Sequence, residues 1–212
     1  METLYFNMND SKNALIIFTR NPELGKVKTR LAATIGDFAA LEIYKFLINH
    51  TVKITLPVKA DKFVFYSENI QKNDVWKPNI FKKEIQNGND LGERMKNAFD
   101  FLLKKGYQKV VIVGSDIYDL DSQTIEKSFN KLDKNPFVIG PATDGGYYLL
   151  GMTKLNTKIF ENKNWGTATV FRDTINDLGT NNVALLSEKN DIDLYDDLKD
   201  NEVFNHFLIS KY

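Results

Sequence analysis

"KVVIVGSD", residues 109–116, decides the fold class of this 212-residue chain. Its uninterrupted apolar run is typical of a strand buried on both faces of a parallel sheet. The run ends at Gly114 and Asp116, a residue without a side chain and a carboxylate placed directly after the strand. Ligands gather beyond the carboxyl ends of strands in open α/β sheets, so a binding site is expected at this point.

Outward from this strand, short apolar runs alternate with segments of helical period. Further strands are predicted at 14–19, 62–67, 79–86, 136–140, 146–152 and 182–187, and helices at 28–52 (with a break near Gly36), 91–106, 121–134, 167–179 and from 193 onward. This alternation predicts a three-layer α/β/α Rossmann-like sandwich around a mainly parallel mixed sheet. No linker or repeat divides the sequence, so residues 9–212 are expected to form one domain, with residues 1–8 flexible.

The composition excludes several function classes. Lys and Arg number 28 and Asp and Glu number 28, so net charge gives no reason to expect nucleic acid or a membrane surface as partner. The absence of cysteine excludes disulfides and thiolate metal sites, and the two histidines are expected to be ordinary helix residues. No apolar run reaches the roughly 18 residues of a spanning helix, and the start lacks the basic region of a secretory signal. A soluble cytoplasmic protein is the expectation.

The segment "RNPELGKVKTRLA", residues 20–32, follows the first strand and is rich in positive charge. Its cations are Arg20, Lys26, Lys28 and Arg30. Gly25 shapes a turn, and the loop leads into a helix whose free backbone N–H groups favour anions, phosphates above all. Val27 stands where a Walker loop requires Ser or Thr, so that motif is excluded. A solvated basic turn is the alternative.

Aspartates in two segments, after the strand 109–114 and in 188–198, are candidates for metal binding. The carboxylate of Asp116 suits Mg²⁺ or Mn²⁺ bridging diphosphate oxygens, whereas Asp121 is interpreted as the cap of the next helix. In "EKNDIDLYDDL", residues 188–198, Asp191 and Asp193 would face opposite ways on an extended segment. One could then reach a metal while the other caps a helix starting near Leu194, although the run could also be simply solvated.

Two glycine-containing loops have a structural and a functional interpretation each. "GPATDGGYYLLG", residues 140–151, could be a hairpin turn, or a turn that presents Asp144 to a ligand while its glycines leave room for substrate. In "QNGNDLGERM", residues 86–95, Asn89 or Asp90 could cap the helix, with Glu93 completing a pattern like a capping box after Asp90. Alternatively, Gly88, Asn89 and the helix start line a pocket.

Three aromatic residues are ambiguous in the same way. Trp165 could cover an acceptor or pack in the core. Tyr147 and Tyr148 alternate along a strand, so one is expected to face the core and the other could face the pocket.

Taken together and in order, these motifs carry a resemblance to a known family. The set "P-x-x-G-x-V-K-T-R-L" (22–31), "G-x-D-L-G-E-R-M" (88–95), "G-S-D" (114–116), "G-P-A-T-D-G-G-Y-Y-L-L-G" (140–151) and "D-I-D-x-x-x-D-L" (191–198) resembles the DUF2064 family. That family is grouped with arsenosugar-biosynthesis-type glycosyltransferases in the nucleotide-diphospho-sugar transferase superfamily. The resemblance implies a GT-A, Rossmann-like fold and a relation to the 2-phospholactate and molybdenum-cofactor guanylyltransferases.

The resemblance also implies roles by position. It implies that Lys28 and Arg30 face phosphate, that Asp116 binds the metal as the single-Asp counterpart of a D-x-D motif, and that Asp193, beside Asp191, completes the metal site. It implies that Asp144, Gly145 and Gly146 meet the acceptor or the transferred group. Contacts to substrate or phosphate are expected from Arg20, Gly25, Lys28, Arg30, Gly88, Gly145 and Gly146. Tyr118 departs from the family, which usually has Pro there, and is expected to change the rigidity of the loop.

The leading hypothesis is a glycosyltransferase that depends on Mg²⁺ or Mn²⁺ and uses a nucleoside-diphosphate sugar and a small-molecule acceptor. Asp144 is its candidate catalytic residue, orienting or deprotonating an acceptor hydroxyl. The alternatives are a guanylyltransferase-like nucleotidyltransferase acting on a phosphorylated small molecule, and a catalytically silent nucleotide-binding protein. The sugar transferase would release a nucleoside diphosphate and the nucleotidyltransferase pyrophosphate.

Overall fold

The computed structural model describes residues 12–208. The segment predicted to be flexible, residues 1–8, lies outside the described residues. The interpretation of residues 9–212 as one domain stays a prediction.

The described residues contain one mixed sheet of seven strands. These are Asn13–Thr19 (β1), Asp61–Tyr66 (β2), Phe81–Ile85 (β3), Lys109–Gly114 (β4), Phe137–Pro141 (β5), Tyr147–Met152 (β6) and Val183–Leu185 (β7). Their order is β3-β2-β1-β4-β6-β5-β7. Strand β6 runs antiparallel to both of its neighbours, whereas the other pairs are parallel. The carboxyl ends of β1, β4, β5 and β7 therefore lie at one edge of the sheet.

Helices cover both faces of this sheet. They are Thr29–Ile35 (α1), Asp37–Thr55 (α2), Leu91–Lys104 (α3), Ser122–Lys131 (α4), Val170–Leu178 (α5) and Asn205–Leu208 (α6). Leu15 and Ile17 pack towards α2 and α4 on one face, while Ala14 and Ile16 pack towards α3 on the other. Alternate residues of one strand thus enter two separate cores, which confirms the predicted three-layer α/β/α sandwich. In the described part of the chain, no helix combines the length and apolar character needed to cross a membrane.

The predicted helix boundaries are set by local chemistry. Asp90 accepts a hydrogen bond from Glu93 N at 2.8 Å, so of the two candidates Asp90 rather than Asn89 caps α3. Asp121 accepts one from Thr124 N at 2.6 Å, which confirms the cap predicted there. Gly36, with φ +89°, separates α1 from α2 as expected.

The prediction of a helix from residue 193 onward is wrong over most of its length. The chain forms short 3-10 turns at Tyr195–Asp197 and Glu202–Phe204 before α6. Asp197 and Asn201 accept hydrogen bonds from nearby backbone N–H groups and so compete with helix formation.

A second correction concerns the loop 153–166, which follows the strand predicted at 146–152 and is therefore expected at the carboxyl edge of a mainly parallel sheet. Because β6 is antiparallel, this loop begins at the opposite edge. It passes through the 3-10 turn Thr157–Phe160 and returns Trp165 to the predicted side.

Candidate active site

Backbone hydrogen bonds tie together the loops that follow three strands. Thr143 N donates to Lys189 O, and Lys189 N donates to Pro141 O, both at 3.1 Å. Ile192 N donates to Asp116 O at 3.4 Å. The segments after β4, β5 and β7 therefore converge at one place, as the sequence predicted.

An ion pair between Lys28 and Asp116 occupies the centre of this place. Lys28 Nζ lies 2.8 Å from Asp116 Oδ2 and 3.9 Å from Asp193 Oδ1. The Lys28 side chain is 5% exposed and that of Asp116 is 35% exposed. Burial lowers the pKa of Lys28, but Asp116, Asp193 and Asp191 together raise it above its ordinary value. The ammonium is therefore charged, and the basic loop meets the predicted metal carboxylates directly.

Arg30 adds a second cation at the solvent side of the pair. Its Nη1 lies 2.8 Å from Asp193 Oδ2, and its side chain is 65% exposed. Because the guanidinium is open to water, it can leave Asp193 for an incoming anion at little energetic cost.

A buried hydroxyl network supports the ion pair from below, and the sequence analysis missed it. Tyr44 OH lies 3.1 Å from Ser115 Oγ and 3.3 Å from Thr19 Oγ1, and it accepts a hydrogen bond from Arg20 N at 2.8 Å. The network joins the end of β1 to the end of β4 immediately before Asp116. The available signal in the sequence was Tyr44 on the buried face of a predicted helix. Its partners Thr19 and Ser115 could not be predicted, because their proximity depends on the strand order.

Asp191 and Asp193 have different surroundings. Asp193 pairs with Lys28 and Arg30, whereas Asp191 lines a cavity together with Asp116 and Asp144. Partial burial, Asp116 and Asp144 raise the pKa of Asp191 to about 6. The prediction that one of the two caps a helix at Leu194 is wrong.

Asp197 takes the capping role instead. Its Oδ2 accepts hydrogen bonds from Leu194 N at 2.6 Å and Asp193 N at 3.0 Å, and its Oδ1 accepts one from Asn190 at 2.9 Å. This carboxylate thereby holds the segment that carries Asp191 and Asp193.

The stretch 140–151 is a tight hairpin between β5 and β6 that presents a carboxylate. Ala142 N donates to Gly146 O at 3.1 Å, and Asp144 Oδ1 accepts from Gly146 N at 2.8 Å. Gly145 has φ +87°, and a Cβ there would lie 2.3 Å from Ala168 O. The glycine is thus required both by the turn and by its contact with the segment before α5. Asp144 itself is exposed and lines the cavity.

The cavity has a volume of about 230 Å³ and lies between the hairpin, the end of β4 and the start of α3. Trp165 lines it while its indole packs on Gly92, where a Cβ would lie 2.5 Å from the ring. The packing interpretation of Trp165 is therefore confirmed, whereas its contact with an acceptor stays a prediction. Tyr147 and Tyr148 both line the cavity too, although Tyr148 is buried and donates to Ser187 O at 3.0 Å.

Three of the predicted substrate residues lie away from this cavity. The side chain of Arg20 is exposed and lines a second cavity of about 250 Å³. Gly25 lies in the basic turn with φ +74°, near the carboxylate of Asp37. Gly88 has φ +145° and accepts a hydrogen bond from Arg94 Nε at 3.0 Å, which pins the loop before α3. The backbone conformation and the close approach of α3 therefore explain why residue 88 is a glycine.

Tyr118, the departure from the family pattern, has a packing role. Its ring contacts Phe46, Phe204 and His50, with centroid distances of 5.8, 5.2 and 4.9 Å respectively. The aromatic side chain thereby fastens the loop after Asp116 to the last described segment of the chain.

The donor chemistry of the site fits a hard divalent cation. Carboxylate oxygens are the preferred ligands of Mg²⁺ and Mn²⁺, and burial together with the carboxylates of Asp116 and Asp144 raises the pKa of Asp191. Within residues 12–208, the carboxylates do not form a ready group of three around a common point. Lys28 occupies one oxygen of Asp116, so an ion would take the place of its ammonium there.

The strand order and the helices on both faces of the sheet are those of the nucleotide-diphospho-sugar transferase superfamily, whose members are transferases. The chain belongs to the DUF2064 family, described as "Uncharacterized protein conserved in bacteria (DUF2064)", whose model matches residues 51–167. The matched region includes Asp116 and Asp144. Comparison with curated protein sequences gives no match.

Solved structures agree with this assignment. The chain is 32% identical to a "putative nucleotide-diphospho-sugar transferase" from Desulfovibrio desulfuricans, with a TM-score of 0.80 over 87% of this chain and 83% of that chain. The 4-diphosphocytidyl-2C-methyl-D-erythritol synthase of Anaerococcus prevotii is 11% identical, with a TM-score of 0.56 over 94% and 96%. The inositol-1-phosphate CTP transferase of T. maritima is 14% identical, with a TM-score of 0.52 over 94% and 96%. The last two share the fold.

Proposed function

We propose that this protein is a metal-dependent glycosyltransferase that uses a nucleoside-diphosphate sugar. The observation that carries the proposal is the buried ammonium of Lys28, held 2.8 Å from the carboxylate of Asp116 at the carboxyl edge of the sheet. Burying two charges costs desolvation free energy that their mutual attraction must offset. Separately, the carboxylate suits a metal ion and the ammonium suits the oxygens of a diphosphate. The proposal keeps the expected cytoplasmic location.

The residues divide between the two halves of that complex. Asp116 and Asp193 would hold Mg²⁺ or Mn²⁺, with Asp191 beside them, while Lys28 and Arg30 would bind diphosphate oxygens. When bound, the ion would stabilise negative charge on the leaving diphosphate. Lys28 would release Asp116 when that carboxylate holds the ion, and its ammonium would then bind a diphosphate oxygen.

Asp144 would act on the acceptor. The acceptor oxygen would form a bond to the anomeric carbon of the sugar as the bond from that carbon to the diphosphate oxygen breaks. The electron pair of the broken bond leaves with the nucleoside diphosphate, and the hydroxyl proton passes to Asp144. Because Asp144 Oδ1 already accepts from Gly146 N, its orientation is set by the hairpin.

A panel of nucleotide sugars tests the proposal. Isothermal titration with Mg²⁺ or Mn²⁺ present should show binding of at least one donor, and a candidate acceptor should then release a nucleoside diphosphate. Asp116→Ala should abolish the metal dependence of donor binding. The control is Asp133→Ala, since Asp133 pairs with Lys109 at the other end of β4.

Each contrary result has a definite meaning. Release of pyrophosphate from a nucleoside triphosphate with a phosphorylated acceptor would identify a nucleotidyltransferase instead. Donor binding that ignores both metal and Asp116 would favour a silent nucleotide-binding protein. Absence of binding and turnover with every donor would overturn the proposal.

A further inference from the structure

We propose that the cavity beside Asp144 binds the acceptor, and that this acceptor is an uncharged or cationic alcohol built on one apolar ring. The inference rests on the proposed function, because it assigns the second substrate of that site. It predicts that the cavity without metal disfavours phosphorylated ligands.

The walls of the cavity are graded from apolar to polar. Its buried lining is almost wholly apolar, and the polar side chains lie where the lining is exposed or half-buried. The buried apolar residues include Met95, Ile112, Val113, Leu149, Leu150 and Val170. Asp144 and Thr167 are exposed, and Asp116 and Asp191 are half-buried. A ligand would place hydrocarbon inward and its reactive hydroxyl outward, near Asp144.

The charge of the lining selects against anions. Among the described residues that line the cavity, three are carboxylates and none is Lys or Arg. Lys28 and Arg30, which pair with Asp116 and Asp193, are not among the residues that line the cavity. A phosphate in the cavity would face these carboxylates without a compensating donor, whereas an ammonium or a neutral group would not.

The size and polarity of the cavity limit the shape of the ligand. A volume of about 230 Å³ exceeds the roughly 150 Å³ in which an engineered apolar cavity holds benzene, so one substituted ring fits. Trp165 and Tyr147 supply aromatic surface at the side. A polyhydroxylated sugar would leave hydroxyl groups unpaired against Leu149 and Leu150, which disfavours it as the occupant.

Three matched probes test the inference without nucleotide or metal: benzyl alcohol, benzylamine and benzyl phosphate. Binding is followed by NMR of ¹³C-methyl-labelled methionine. Met95 lines the cavity, whereas Met152 is buried in β6 outside it and serves as the internal control. We expect the alcohol and the amine to shift Met95 but not Met152, and the phosphate to bind at least about tenfold more weakly.

A variant that adds a positive charge at the rim of the cavity provides a second test. Leu91 lies at the rim and is 45% exposed, so Leu91→Lys places a cation there without unfolding the core. It should weaken benzylamine and strengthen benzyl phosphate, each by about threefold or more at low salt. Leu185→Lys, at a leucine that is 49% exposed on β7 and outside the cavity, should change neither.

The outcomes separate this inference from the proposed function. Benzyl phosphate binding to the unaltered protein as tightly as benzyl alcohol, or no shift of Met95 with any probe, would overturn the inference. Neither result bears on whether a nucleotide sugar binds with metal at Asp116. Conversely, failure of every nucleotide sugar would overturn the proposed function while the probe preference still described the cavity.

Discussion

Lys28 has two properties that an ordinary loop lysine lacks. Its φ is +48°, in the left-handed region that costs an L-residue about 1 kcal/mol or more, and its ammonium is buried. Both the backbone conformation and the burial of the charge are energetically unfavourable for a surface lysine without a binding role. Such strain at a residue that also pairs with Asp116 points to a role in binding rather than in folding.

Asp144 offers a test that separates turn formation from chemistry. Asp144→Asn keeps an oxygen that can accept from Gly146 N, whereas Asp144→Ala loses it. We expect both variants to reduce turnover by about a hundredfold or more, because neither accepts a proton. Urea unfolding should show a loss of about 0.5–1 kcal/mol for the alanine variant alone. If Asp144→Asn unfolds the protein but keeps specific activity, the hairpin is only a turn.

Tyr147 and Tyr148 form a matched pair for the energetics of buried hydroxyls. The Tyr147 hydroxyl is buried without a partner among the described residues, whereas that of Tyr148 donates to Ser187 O. Tyr147→Phe should therefore raise the free energy of unfolding by about 1 kcal/mol, and Tyr148→Phe should lower it by a similar amount. Equal losses in chemical denaturation would show that the Tyr147 hydroxyl has a partner in solution.

At the scale of elements, the sequence predicted each strand but not every strand direction. Apolar runs such as 14–19 and 109–116 identify buried strands whichever way they run. Period and composition do not report that β6 is antiparallel, and this direction decides where the loop 153–166 begins. The prediction that Asp191 or Asp193 caps a helix near Leu194 was also wrong. Asp191, Asp193 and Asp197 are all carboxylates near Leu194, and the sequence alone does not show which of them accepts the backbone hydrogen bonds.

The segment after β7 depends on Asp197, and this dependence should vary with pH. Partial burial raises the pKa of Asp197, but hydrogen bonds from Asn190, Leu194 and Asp193 lower it below its ordinary value. A depressed folded pKa means that the stabilisation is present above the unfolded pKa, 3.8, and is lost as the pH falls through the folded pKa. Asp197→Ala should cost about 1 kcal/mol at pH 7 and progressively less in acid.

Thermal unfolding from pH 7 downward measures that difference. Asp196→Ala is the matched control, because Asp196 is 76% exposed and pairs with Lys199. Metal-dependent donor affinity should also fall in Asp197→Ala, since Asp191 and Asp193 lose their support. A loss of stability that is the same at every pH would contradict the capping role.

At the scale of the molecule, the site depends on which strands are neighbours. The sequence placed Lys28, Asp116 and Asp144 after strands, and hence at one edge, but it did not pair them. Lys28 reaches Asp116 because β1 lies directly beside β4. The Tyr44 network requires the same adjacency. Residue pairing across a sheet is a property of strand order, which local sequence patterns do not encode.

The partial burial of Asp191 beside the other carboxylates of this edge should make the whole molecule less stable above about pH 6. Its pKa is raised from 3.8 to about 6, so the folded state holds this proton more tightly and stability falls as the pH rises between these values. Asp191→Asn removes the effect: we expect no difference at pH 3.5 and a gain of about 1–2 kcal/mol at pH 8, discounted for partial exposure. Asp119→Asn, at an exposed residue of the same edge, is the control in urea unfolding at both pH values.

Saturating Mg²⁺ and nucleoside diphosphate should stabilise the unaltered protein more than Asp191→Asn. A variant that is less stable than the unaltered protein at pH 8 without ligand would show that Asp191 is a structural residue rather than part of a binding site.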